Sequence, residues 1–125
     1  MKKSILNPNA PKPMGPYSQA VQADKFLFIS GQLAIDPKEG KIIATDIASQ
    51  TTQVMKNIIA ILETANFSLA NVVSTTVYLT SMTLFRDFNN EYEKFFRGDF
   101  PSRSTIACEL KAGALVEISA VAYKD

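Results

Sequence analysis

Two charged residues sit in apolar, strand-like runs near the end of the chain. They are Arg103, in Phe100-Pro101-Ser102-Arg103-Ser104-Thr105-Ile106, and Glu117, in Leu115-Val116-Glu117-Ile118. A planar guanidinium can grip a carboxylate through two parallel hydrogen bonds, and a carboxylate inside a largely apolar strand suggests a buried partner, a site or a subunit seam. Each also has a plainer reading. Arg103 by itself reads first as a solvated surface charge, and Glu117 serves equally well as a strand-edge charge that discourages aggregation. The pair gains weight from how little else the chain offers. With no histidine, no tryptophan and one cysteine, it lacks the parts of a Ser-His relay or a zinc cluster, and no metal site is expected. Cys108 has no imidazole to activate it and reads as a small buried hydrophobe. The four tyrosines read as packing residues.

Composition narrows the class further. Thirteen basic residues against 12 acidic, for a net charge of +1, give no broad electrostatic reason to bind nucleic acid or an anionic membrane. The lysines are dispersed, without the aromatic interleaving of a nucleic-acid platform. Ser30-Gly31-Gln32 is too short for a phosphate loop. Apolar runs of a few residues fall well short of the roughly 20 that span a bilayer. After Met1-Lys2-Lys3 the prolines and asparagines of 7–13 stand where a secretory apolar core would be, and Cys108 has no internal partner. A cytosolic compartment fits best, with an organellar one left open.

The elements that must position Arg103 and Glu117 follow from periodicity. A chain of 125 residues is expected to form one domain. The proline-rich stretch from Asn7 to Pro16 reads as surface chain, more simply a mobile tail than a rim that delivers Tyr17 and Ser18 to a site. Residues 17–23 and 25–30 predict a hairpin turning at Asp24. Gly31 would serve a bulge, a close approach to the backbone or a simple strand-end kink. Asp36-Pro37-Lys38-Glu39-Gly40 is turn chemistry. Ile47, Val54, Ile58, Ile61, Leu62 and Ala65 recur at helical spacing, predicting a helix over 46–65 capped by Thr45 or Asp46, with Gln50, Gln53 and Asn57 on its polar side. The β-branched run 72–80 predicts a strand, and the strand-helix-strand order predicts a crossover and a parallel pair. A second helix is expected over 81–96 with Gly98 beyond its end, then strands at 103–108 and 115–123 around a loop near Gly113. The result is an α+β two-layer sandwich with a mixed sheet of five or six strands and both helices on one face. The other face still carries apolar groups, which predicts a homo-oligomer.

Several blocks then align in order over nearly the whole chain. Gly15-Pro16-Tyr17-Ser18-Gln19-Ala20, Phe28-Ile29-Ser30-Gly31-Gln32, Val77-Tyr78-Leu79, Phe88-Asn89-Asn90-Glu91-Tyr92 with Phe95-Phe96, and Pro101-Ser102-Arg103-Ser104 with Val116-Glu117-Ile118 resemble the Rid family, also called YjgF or endoribonuclease L-PSP. The branch they resemble most is the RidA type of enamine/imine deaminase. The resemblance implies a chorismate-mutase-like fold, a homotrimer and sites in the clefts between subunits. It places the substrate-carboxylate arginine at Arg103 and the acid that positions or activates water at Glu117. It also puts Tyr17, Ser30, Gly31 and Asn89 on the cleft wall, with backbone near Thr105 and Ile106 completing it. The implied reaction is hydrolytic loss of ammonia from 2-aminoacrylate, 2-iminopropanoate or 2-iminobutanoate, giving the 2-keto acid without a cofactor. A metabolite-binding regulatory trimer is an alternative. So is the ribonuclease of the older name, which near-zero net charge and the lack of histidine disfavour. Two departures stand out. Thr105 occupies a position where members often carry cysteine, and the segment 107–112 is about one residue short, so the turn before Glu117 decides that residue's reach.

Overall fold

The apolar stripe after Asp46 folds as helix α1 (Ile47–Thr64), with Asp46 as its cap: the carboxylate accepts a 2.8 Å hydrogen bond from Ser49 N. The far end closes in a left-handed turn at Asn66 (φ 63°), where Asn66 N donates to Glu63 O and Phe67 N to Leu62 O. The computed structural model describes residues 1–125. Around α1 are strands β1 (Lys2–Ile5), β2 (Ala20–Ala23), β3 (Phe26–Gln32), β4 (Ile35–Asp36), β5 (Lys41–Ile42), β6 (Val72–Leu79), helix α2 (Phe85–Tyr92), and strands β7 (Ser102–Ala107) and β8 (Val116–Tyr123). The six-stranded sheet runs β1-β2-β3-β8-β6-β7, and β4 and β5 form a separate hairpin.

The expected α+β architecture is present, with three differences of detail. The second helix is α-helical only over 85–92, with single 3-10 turns at Met82–Leu84 and Glu93–Phe95. The parallel pair lies elsewhere than expected. Strands β3 and β6 both run antiparallel to β8, which inserts between them, and the direct parallel pair is β6 with β7. Small inner residues, Ala120 and Ala122, let β8 lie in the middle of the sheet under α1. Finally, β1 extends the sheet by pairing with β2, from a lysine-bearing run too short and too charged to read as a strand.

Alternation along each strand separates the two faces. On β8, Val116, Ile118, Ala120 and Ala122 are buried beneath the helices, while Glu117, Ser119, Val121 and Tyr123 face the other way. That second face is uncovered. Phe26, Phe28 and Tyr123 cluster on it with ring centroids 6.0 and 5.0 Å apart, and Phe28 remains 47% exposed.

Three fully buried side-chain amides hold the loops. Gln19 accepts from Asn7 N (2.7 Å) and donates to the carbonyls of Asn7, Ala10 and Pro11. The proline-rich segment is therefore tied to the domain and is not a free tail. Asn57 donates to Leu33 O and Ile35 O. Gln50 donates to Ala44 O and Gly113 O, both at 2.9 Å, and accepts from Leu115 N at 2.8 Å. Gln50 and Asn57 thus face inward, contrary to the polar-side expectation. Their spacing from Val54, Ile58 and Ile61 already puts them on the apolar stripe of α1. Gln50→Leu is expected to strand three backbone groups and to cost about 3 kcal/mol, read as a lowered urea midpoint.

Candidate active site

The candidate residues fall into two groups, each built by a different edge of the fold. In the first, β3 carries a bulge between Ile29 and Gln32. Three hydrogen bonds brace it. Ser30 N donates to Gln19 O (2.9 Å), Ser30 Oγ donates to Ser18 O (2.7 Å), and Gln32 Nε2 donates to Ser30 O (3.2 Å). The bulge brings Gly31 against Glu117. A methyl group at Gly31 would fall on Glu117 Oε2 and lie 2.9 Å from its Cδ. Gly31 is absent from the positive-φ glycines, so space and not backbone conformation requires it. Of the three roles left open for Gly31, the bulge and the close approach are present and the simple strand-end kink is not the reason for it.

Glu117 lies on the uncovered face, opposite Tyr78 of β6. Neither of the chain's ion pairs includes it, and burial alone pushes its pKa above the ordinary 4.5. Beside Gly31 opens a hollow of about 260 Å³. Its walls are the 11–17 segment with Tyr17, the chain around Leu33 and Ile35, and Lys111 from the loop before β8. Gln19, Asn57 and Gln50 pin these walls in turn. Tyr17 is half-exposed, with its hydroxyl accepting from Met14 N at 3.3 Å.

The second group centres on Arg103. Its register partner on β6 is Thr75, a buried residue whose hydroxyl is 2.8 Å from Tyr92 Oη, so Arg103 points to the helix side. There the guanidinium carbon lies 5.6, 5.5 and 5.1 Å from the ring centres of Phe85, Phe88 and Tyr92. The rings stand within cation–π range of the guanidinium, whose N–H groups have no acceptor in the chain and suit a planar one. No carboxylate of the chain takes that place. Asn89 borders the same cleft of about 480 Å³, and its buried Oδ1 has no partner in the chain. Thr105 follows Arg103 on the helix side, whereas Ile106 turns to the uncovered face and is 48% exposed. β7 is an edge strand bonded only to β6, so part of its backbone faces outward.

Within one chain, then, Tyr17, Ser30, Gly31 and Glu117 gather at one place and Asn89, Arg103 and Thr105 at another. Arg103 and Glu117 occupy opposite faces of the sheet. The sequence reading missed the aromatic cradle of Arg103, having taken the α2 stripe as core. It also missed the buried amides and the Lys12 and Lys111 margin. Cys108 is only half-buried, its N–H extending the β7 ladder to Leu79 O at 2.9 Å.

The family model for endoribonuclease L-PSP matches residues 7–124. The chain belongs to this family, the Rid or YjgF family. A RutC family protein of Pyrococcus horikoshii is 49% identical over 126 residues, covering both chains completely. The mouse 2-iminobutanoate/2-iminopropanoate deaminase is 39% identical over 125 residues, 99% of this chain and 93% of the mouse protein. Among solved structures, Escherichia coli TdcF with bound serine superposes with a TM-score of 0.92 at 31% identity, covering 98% of this chain and 99% of TdcF. Some members of the Rid family are thus enamine/imine deaminases, and one holds a small amino acid. No helix of this Rid protein is long and apolar enough to cross a membrane.

Proposed function

We propose that this chain is a cofactor-independent enamine/imine deaminase acting as a homotrimer, with each site made from the Glu117 group of one subunit and the Arg103 group of its neighbour. The observation that carries this reading is a complementary pair of unmet needs on opposite faces of the sheet. Arg103 stands within cation–π range of three rings and has no carboxylate partner, and Glu117 is half-buried without a donor. A second copy laid on the aromatic face of Phe26, Phe28 and Tyr123 would meet both needs and cover that face. The identity with the mouse deaminase supports the reaction class.

In this mechanism Arg103 takes the substrate carboxylate in two parallel hydrogen bonds and so orients C2. Glu117 accepts a proton from water as the water oxygen bonds to C2 of the protonated imine, and the C=N electron pair moves onto nitrogen, which becomes a neutral amine. The same carboxyl returns that proton to the departing nitrogen and then takes the hydroxyl proton as the C–N bond breaks and the C2 carbonyl forms, so that the 2-keto acid and ammonia leave. Gly31 leaves room for the Glu117 carboxylate, while Tyr17, Ser30 and Asn89 line the cleft. Backbone at Thr105 and Ile106 closes it.

The test is pyruvate formation from 2-aminoacrylate generated in situ by a dehydratase. Acceleration by this protein supports the reading, and unchanged formation sinks it. The serine-bound TdcF structure favours a second reading, in which the same cleft holds an amino acid without converting it. Serine binding without acceleration would select it.

Convergence across the subunit boundary has its own signature. Burial raises the Glu117 pKa within one chain, whereas a neighbouring guanidinium would lower it. The carboxyl of Glu117, followed by carbon NMR, is therefore expected to titrate at a higher pH in Arg103→Gln than in the parent. Equal midpoints would place Arg103 out of reach.

A further inference from the structure

Lys12 and Lys111 both line the hollow beside Gly31, and no acidic residue lines it. Lys111 Nζ is already turned over it, 3.7 Å from Met14 Sδ, an acceptor too weak to satisfy an ammonium. The positive charge continues past the hollow itself. Ile35 borders this hollow and two adjoining ones, one lined by Lys41 and the other by Lys38. Among the residues lining the three hollows Glu39 is the one carboxylate, with Asp36 turned onto the backbone N–H groups of Lys38 and Glu39 and Glu117 behind Gly31. None of the four lysines belongs to the chain's ion pairs, Arg86–Asp87 and Lys94–Glu91. In a chain whose net charge is +1, this concentration is local, and it lies where Gly31 and Tyr17 bring the hollow to the Glu117 group. The hollow's walls are rigid, because Gln19, Asn57 and Gln50 each pin one loop from inside.

We propose that this hollow is a second anion subsite and that the preferred substrates are imino acids with an additional acidic group on the side chain. The inference rests on the deaminase reading. With the 2-carboxylate on Arg103 and C2 beside Glu117, the side chain of a five-carbon 2-imino diacid extends past Gly31. Its distal carboxylate meets Lys12 and Lys111 there. A neutral side chain of equal length gains nothing from these ammonium groups and leaves them as they were. Lys38 and Lys41 lie farther out and raise the local concentration of dianions.

The test compares 2-iminopentanedioate with 2-iminopentanoate, each generated in situ by an amino-acid oxidase and followed as keto acid. The ratio of their kcat/KM values is expected to favour the diacid about tenfold, equivalent to ~1.4 kcal/mol. In a Lys12→Gln, Lys111→Gln double variant that ratio should fall close to one, and in the parent it should shrink as salt is raised. A parallel NMR titration with pentanedioate and pentanoate reads binding through the Tyr17 and Gly31 amides, without any turnover. Tighter pentanedioate binding that the double variant abolishes supports the subsite. A ratio near one in the parent, or a preference unchanged in the double variant, overturns it. Should neither imine be hydrolysed faster, the deaminase reading fails and the titration alone decides the subsite.

Discussion

Arg103→Ala is expected to lower kcat/KM for 2-aminoacrylate hydrolysis on the order of a thousandfold, ~4 kcal/mol of lost positioning at the transition state. The fold should survive, because Arg103 is only part-buried on an edge strand and makes no ion pair. The decisive form of the experiment uses two inactive variants together. Arg103→Ala keeps Glu117, and Glu117→Gln keeps Arg103. If each site draws one group from each of two neighbours, co-refolding equal amounts of the variants restores sites in which both groups are native. Random assembly of a cyclic trimer makes that about a quarter of all sites. Activity near that level shows shared sites. Activity no higher than that of the separate variants would mean that Arg103 and Glu117 never meet, and the placement proposed for them would be wrong.

Gly31→Ala is expected to cost activity about a hundredfold while the domain still folds. The added methyl would occupy the space of the Glu117 carboxylate, so either that side chain swings away or the β3 bulge moves. Relief of such a clash costs about 1–3 kcal/mol in a packed site, which a small domain tolerates. The measurement pairs steady-state kinetics with a thermal melt. Lost turnover with a nearly native melt separates the displaced carboxylate from general unfolding. Full activity would show that Glu117 does not need the position it holds beside Gly31.

How much of this was legible in advance depended on whether a feature is local. Asp46 caps α1 because a carboxylate before an apolar periodic run meets the free N–H groups of the first turn, and that is written in neighbouring residues. The uncovered sheet face was legible too, since two helices cannot blanket six strands. The parallel pairing was not, because β8 arrives from the far end of the chain to separate β3 from β6. Gln50 illustrates the same limit. Helical spacing puts it on the apolar stripe, but only the loop at Gly113 and Leu115, 63 and 65 residues away, explains why an amide is buried there.

The turn before Glu117 looked about one residue short in the sequence, and its consequence was open. Gln50 holds that turn, and β8 then runs in register with Tyr78, which sets Glu117 beside Gly31. By itself, the sequence determined the residue types available for chemistry, the helices and strands that carry them, and the family. Those follow from side-chain pattern over short spans. The tertiary structure decided that Arg103 and Glu117 stand on opposite faces of one sheet. Strand pairing between distant segments sets which way each side chain points, and no local pattern contains that partner.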